Sequence, residues 1–170
     1  MENDIARECD IVGKTCCFFG HRDTSDSEGL RNAVRKTVEK LVLEQGVDRF
    51  LFGSRSRFDR LCHEIVTEIK KQHPNIKRVY VRAEYEQINE DYEAYLLKDY
   101  EETYFSKNAK GAGKAVYIKR NYEMIDDSDF CVVYFDESRT NGTKSGTKIA
   151  LDYAKKYGKR IILIKNPRSV

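Results

Sequence analysis

The chain has no apolar run near the roughly 20 residues that a membrane-crossing helix needs, so no bilayer span is expected. Its first residues are too acidic and polar for a signal peptide. It has no CxxC pair and no His/Cys cluster at zinc-binding spacing, so no metal ion and no cofactor is expected. Cys9, Cys16, Cys17, Cys62 and Cys131 are odd in number and scattered. Three of them (Cys16, Cys17 and Cys131) lie inside apolar runs, where a free thiol behaves as a small hydrophobe. A reducing, cytoplasmic setting is the expectation. Internal repeats and low-complexity tracts are absent too. A large excess of one charge sign is also lacking, with a net charge of +3. Nonspecific nucleic-acid binding usually needs a clear basic excess, so nucleic acid is not the expected partner.

What is there reads as alternating strands and helices. At 170 residues the chain can bury the core of one domain without staples. Residues 1–13 read as a polar lead-in and 14–170 as a single domain. Residues 14–19 form a short apolar run ended by Gly20. Leu30, Val34, Val38, Leu41 and Val42 then recur at helical spacing up to Gly46. Residues 48–52 predict a second strand, stopped by Gly53. Leu61, Cys62, Ile65, Val66 and Ile69 predict a second amphipathic helix before Pro74. A third strand is predicted over 76–81.

Residues 84–118 break this rhythm and are rich in tyrosine, including Tyr85, Tyr92 and Tyr117. They read as an insertion or lid, with a helix within 89–100 and an exposed loop at 107–114. The alternative is a surface connection without a role. Order returns with a helix at 119–125, a strand at 129–135, a helix carrying Ile149 to Tyr157 and a last strand at 160–164. The expected fold class is α/β: a Rossmann-like three-layer sandwich with a mainly parallel five-stranded sheet of order 3-2-1-4-5, plus the insertion.

Ligands of such sheets bind beyond the carboxyl ends of the strands, where strand order reverses. Three loops reach that edge. The first carries Gly20, His21, Arg22 and Thr24. Glycine permits the sharp turn, and a guanidinium can clamp a phosphate with two hydrogen bonds. The second carries Gly53, Ser54, Arg55, Ser56 and Asp59, where Asp59 serves equally well as a helix cap. The third carries Asn141, Gly142, Thr143, Ser145, Gly146 and Thr147 before a helix. Its backbone N–H groups and the positive helix end suit an anion. The spacing is neither that of a P-loop nor that of GxGxxG. Arg120 and Asn121 sit at a helix start that can reach the same cleft. Structural roles remain open for each: caps, edge ion pairs or an ordinary loop.

Four segments together resemble a known family. They are Phe18-Phe19-Gly20-His21-Arg22, Gly53-Ser54-x-Ser56-x-Phe58-Asp59, Arg120-Asn121-Tyr122-x-Met124-Ile125-Asp126-x-Ser128-Asp129 and Gly146-Thr147-x-x-Ala150. In this order, over about residues 14–165, they resemble the YpsA-like branch of the SLOG superfamily. The resemblance implies a Rossmann-like fold and a nucleotide-type ligand held by these loops. Some members, similar to LOG enzymes, hydrolyse the N-glycosidic bond of nucleotides. Others sense nucleotide-derived signals, including ADP-ribose derivatives, in phage-defence systems. The LOG pattern PGGxGTxxE places its glutamate where this chain has Ala150. A general acid or base is worth roughly 10²–10⁴-fold, so binding is expected ahead of catalysis. The expectation is a sensor or sequestering module for a nucleotide, an ADP-ribose-type molecule or a cyclic nucleotide. The alternative is a LOG-type phosphoribohydrolase. A homodimer is expected by analogy with related folds.

Overall fold

A computed structural model describes residues 13–53, 56–136, 138 and 145–165. The order is β1 (Lys14–Gly20), α1 (Glu28–Gln45), β2 (Val47–Phe52), α2 (Arg57–Lys70), β3 (Lys77–Arg82), α3 (Glu90–Leu96), β4 (Glu102–Phe105), α4 (Val116–Asp126), β5 (Phe130–Tyr134), α5 (Gly146–Lys156) and β6 (Arg160–Ile164). All neighbouring strands pair in parallel, in the order β4-β3-β2-β1-β5-β6.

The expected five strands are present in their expected order, but the sheet has six. The additional strand is β4, inside the 84–118 insertion, where it pairs with β3 from Val79↔Glu102 to Arg82↔Phe105. Its sequence, Glu-Thr-Tyr-Phe, lacks the apolar run of a central strand, and all four residues are only half-buried. The open edge of β3 supplies the ladder partners that make it a strand. The 107–114 segment is likewise more ordered than a loop. It forms two 3₁₀ turns, Lys107–Ala109 and Gly113–Ala115, with Ala109 buried.

Strand alternation divides the core between two faces. Cys16, Phe18, Phe50, Phe52 and Val132 point toward α1 and α2. Cys17, Phe19, Leu51, Val79, Val81 and Val133 point toward α4 and α5, meeting Met124, Ile125, Ala150 and Leu151. The described cysteines are free and buried, and burial raises the thiol pKa of Cys16, Cys17 and Cys62.

Local chemistry sets the helix ends that matter for the site. Ser56 caps α2, its hydroxyl accepting from the Asp59 amide at 3.1 Å. The cap is thus Ser56, and Asp59 falls in the first turn. Ser145 caps α5 by accepting from the Lys148 amide at 3.1 Å. Such caps are worth about 1 kcal/mol each. They leave the starts of α2 and α5 at the carboxyl edge of the sheet.

Candidate functional site

The carboxyl ends of β1, β2 and β3 and the starts of α4 and α5 enclose a cleft of about 610 Å³. Of the residues nominated from sequence, Gly20, His21, Arg22, Gly53 and Ser56 line it from the strand ends. Arg120, Asn121, Ser145, Gly146 and Thr147 line it from α4 and α5. Thr24 and Asp59 are buried and do not line it. Ser54, Arg55, Asn141, Gly142 and Thr143 lie outside the described residues.

Near β1 and β5 the polar groups already have partners. His21 Nε2 accepts from the Asp136 amide at 2.7 Å and so joins the loops after the two strands. Thr24 Oγ1 donates to the His21 carbonyl at 2.9 Å. The Arg22 carbonyl accepts from the Arg57 amide at 3.1 Å. Gly20 has no room for a side chain, because a Cβ there would stand 2.2 Å from the Phe58 ring.

Gly53 matters for a different reason. A Cβ on it would come within 2.9 Å of Arg120 Nε and Met124 Sδ. Without one, the Arg120 side chain passes over the end of β2 and donates to the Gly53 carbonyl. Arg120 Nε and Nη2 also donate to Asn121 Oδ1, at 3.2 and 3.1 Å. Asp59 lies close enough to attract Arg120 electrostatically, yet burial raises the Asp59 pKa well above the ordinary carboxylate range. Asp59 Oδ1 has no hydrogen-bond partner among the described residues.

The structure adds residues that loop motifs did not reveal. Tyr80, Arg82 and Ala83 from the end of β3 line the cleft, as do Glu84, Tyr85, Tyr92 and Tyr117 from the insertion. Arg82 is 8% exposed and Arg120 is 5% exposed. Among the described residues Arg82 donates only to neutral oxygens, Thr103 Oγ1 at 3.3 Å and the Glu86 carbonyl at 3.4 Å, and its Nε has no partner. The position of Arg82 as the last residue of a strand was the available signal, since such residues face the ligand edge.

These two cations differ from the other arginines that anchor the fold. Arg31 pairs with Asp26 and Glu64, Arg49 with Glu102, and Arg78 with Glu101. Arg82 and Arg120 are the more deeply buried, yet among the described residues their hydrogen bonds go to neutral oxygens, while Asp59 and Glu84 attract Arg120 electrostatically. Burial lowers the Arg120 pKa, but an arginine stays charged at neutral pH. A buried charge without a hydrogen-bonded carboxylate is costly. The cleft lining thus combines two buried guanidinium groups with the Glu84 carboxylate. The carboxylates of Asp126 and Asp129 are held elsewhere. Asp126 accepts from Tyr153 Oη at 3.0 Å, and Asp129 accepts from the Thr15 amide at 2.9 Å.

The parallel sheet, the cleft at its carboxyl edge and the capped helix beside the reversal of strand order define a Rossmann-like domain. The chain belongs to the YspA SLOG family, whose model it matches over residues 14–168. It is also 28% identical over 143 residues to the "Uncharacterized SPbeta prophage-derived protein YoqJ" of Bacillus subtilis (strain 168), a match covering 75% of this chain and 81% of that protein. Among the described residues, no helix is long and apolar enough to cross a membrane.

Proposed function

We propose that this protein binds a nucleotide or nucleotide-derived small molecule as a sensor or sequestering module, its anionic part held by Arg82, Arg120 and the start of α5. The observation that carries this reading is the pair of buried guanidinium groups with no carboxylate partner among the described residues. An arriving phosphate gains charge-assisted hydrogen bonds from both. The α5 N-terminus lies in the same cleft and adds a favourable dipole. ADP-ribose-type and cyclic nucleotides fit this charge pattern as well as simple nucleotides do. A role in phage-defence signalling is part of the proposal, and the relative YoqJ is itself prophage-derived. A homodimer remains part of the proposal, checked by light scattering on the eluted protein.

The LOG-type hydrolase reading loses its usual glutamate, because Ala150 is buried in the core between α5 and the sheet. The test is calorimetry with AMP, ADP, cyclic AMP and ADP-ribose on the parent and on Arg82→Met. Hydrogen bonds to a charged group contribute about 1.5–3 kcal/mol, so Arg82→Met should weaken the best ligand roughly 30-fold. Its melting temperature should hold or rise, since an apolar isostere removes an unpaired buried charge. A parent that binds none of the four overturns the reading. Release of free adenine from AMP would restore the hydrolase.

A further inference from the structure

The cleft has a second chemistry at the insertion end, away from α5. Tyr85 is the one non-glycine residue among those described with positive φ, at 59°. Its ring lines the cleft and is nevertheless 64% exposed. Its ring contact is an edge-on approach to Tyr92 at 6.1 Å. A glycine or asparagine would make this left-handed turn at less strain. The turn therefore holds a strained aromatic face at the mouth without burying it in the core. Beside it, the Glu84 carboxylate accepts from Tyr117 Oη, tying the end of β3 to the start of α4. Glu84 is an acceptor-only group in a cleft whose floor is cationic. It repels a phosphate and attracts hydroxyl donors.

Resting on the anion-binding reading above, we propose that the insertion end is the nucleoside subsite and that the ligand is a ribonucleotide bound in one orientation. The base stacks on Tyr85, and the ribose diol donates to Glu84. The phosphates point inward to Arg82, whose buried Nε is unpartnered among the described residues, and to Arg120. Base stacking on an aromatic ring is tolerant of base identity. The subsite therefore selects ribose over deoxyribose more strongly than one base over another.

The probes are ADP, 2′-deoxy-ADP and inorganic pyrophosphate, titrated into the full chain and into Tyr85→Asn, Glu84→Gln and Tyr85→Trp. Asparagine tolerates the left-handed turn, so Tyr85→Asn should melt within a few degrees of the parent. It should lose about tenfold in ADP affinity, the order expected for one stacking contact, and keep its pyrophosphate affinity. Glu84→Gln should narrow the parent's preference for ADP over 2′-deoxy-ADP. The chain has no tryptophan, so Tyr85→Trp introduces a single reporter. ADP should quench it, and pyrophosphate should not. Unchanged ADP affinity in Tyr85→Asn would overturn the orientation, as would a parent that binds pyrophosphate but not ADP. Either result leaves the anion site standing. A parent that binds none of these three probes overturns the orientation, and the anion site falls with it if AMP, cyclic AMP and ADP-ribose fail as well.

Discussion

The two ends of the cleft are built on opposite principles. At the β1/β5 end, polar groups are satisfied within the protein and backbone and ring are packed tightly. His21 is bonded to the Asp136 amide, Thr24 to the His21 carbonyl, and Gly20 lies against Phe58. Toward the β2/β3 end, the protein leaves groups unsatisfied. Arg82 Nε in the cleft and Asp59 Oδ1, which does not line it, are the two buried side-chain atoms without a hydrogen-bond partner among the described residues, and Tyr85 is strained and exposed. Unmet hydrogen-bonding capacity in a folded protein calls for an explanation. A rigid end that positions and a frustrated end that waits for a ligand is the simplest one. It follows that substitutions at the first end should cost stability, whereas those at the second should cost binding and leave stability level or improved.

The largest stability effect should come from Gly20→Ala. The new Cβ would overlap the fully buried Phe58 ring, which stacks on Tyr134 at 5.5 Å. Overpacking of this kind costs about 3 kcal/mol. Urea denaturation reads it directly. A loss below about 0.5 kcal/mol, the range of ordinary surface changes, would show that the rigid end yields.

Asp59→Asn should act in the opposite direction and with a pH signature. The folded-state pKa of Asp59 is raised, mainly by burial and against the pull of Arg120. The folded protein therefore holds that proton more tightly than the unfolded chain does. The associated stability is fully present below the unfolded value near 3.8 and is lost as pH rises toward the folded value. Asparagine does not titrate. The variant should be more stable than the parent at pH 7, by about 1 kcal/mol for a poorly satisfied buried group. Its advantage should shrink as pH falls toward 4. Thermal melts at pH 4, 5.5 and 7 follow the difference; an advantage that grows toward pH 4 would contradict the assignment.

The smallest effect belongs to His21→Ala, which removes one hydrogen bond between loops. The expected loss is about 0.5 kcal/mol, with faster hydrogen exchange at the Asp136 amide. Exchange at that amide unchanged from the parent would mean that His21 does not clasp the two loops.

Much of this molecule was legible before any coordinates. Buried strands such as Phe130–Tyr134 announce themselves by apolar runs, and helices such as α2 by the spacing of Leu61, Ile65 and Ile69. Loops that follow parallel strands must meet at one edge, so Gly20, Gly53 and Gly146 belonged together from the outset. The strand β4 was not legible, because four mixed residues become a strand only when an open edge receives them.

By itself the sequence determined the element order apart from β4, the parallel sheet and the edge at which the cleft opens. Hydrophobic period and glycine punctuation are local properties, and they survive without a fold. Which charges are free is not local. Arg78 and Arg82 lie four residues apart on the same face of β3 and cannot be told apart by pattern. Folding brings Glu101 within 2.9 Å of Arg78 and gives Arg82 two neutral oxygens. Only the tertiary structure decided that one arginine would hold the sheet together and the other would face the cleft, because charge compensation depends on residues distant in the chain.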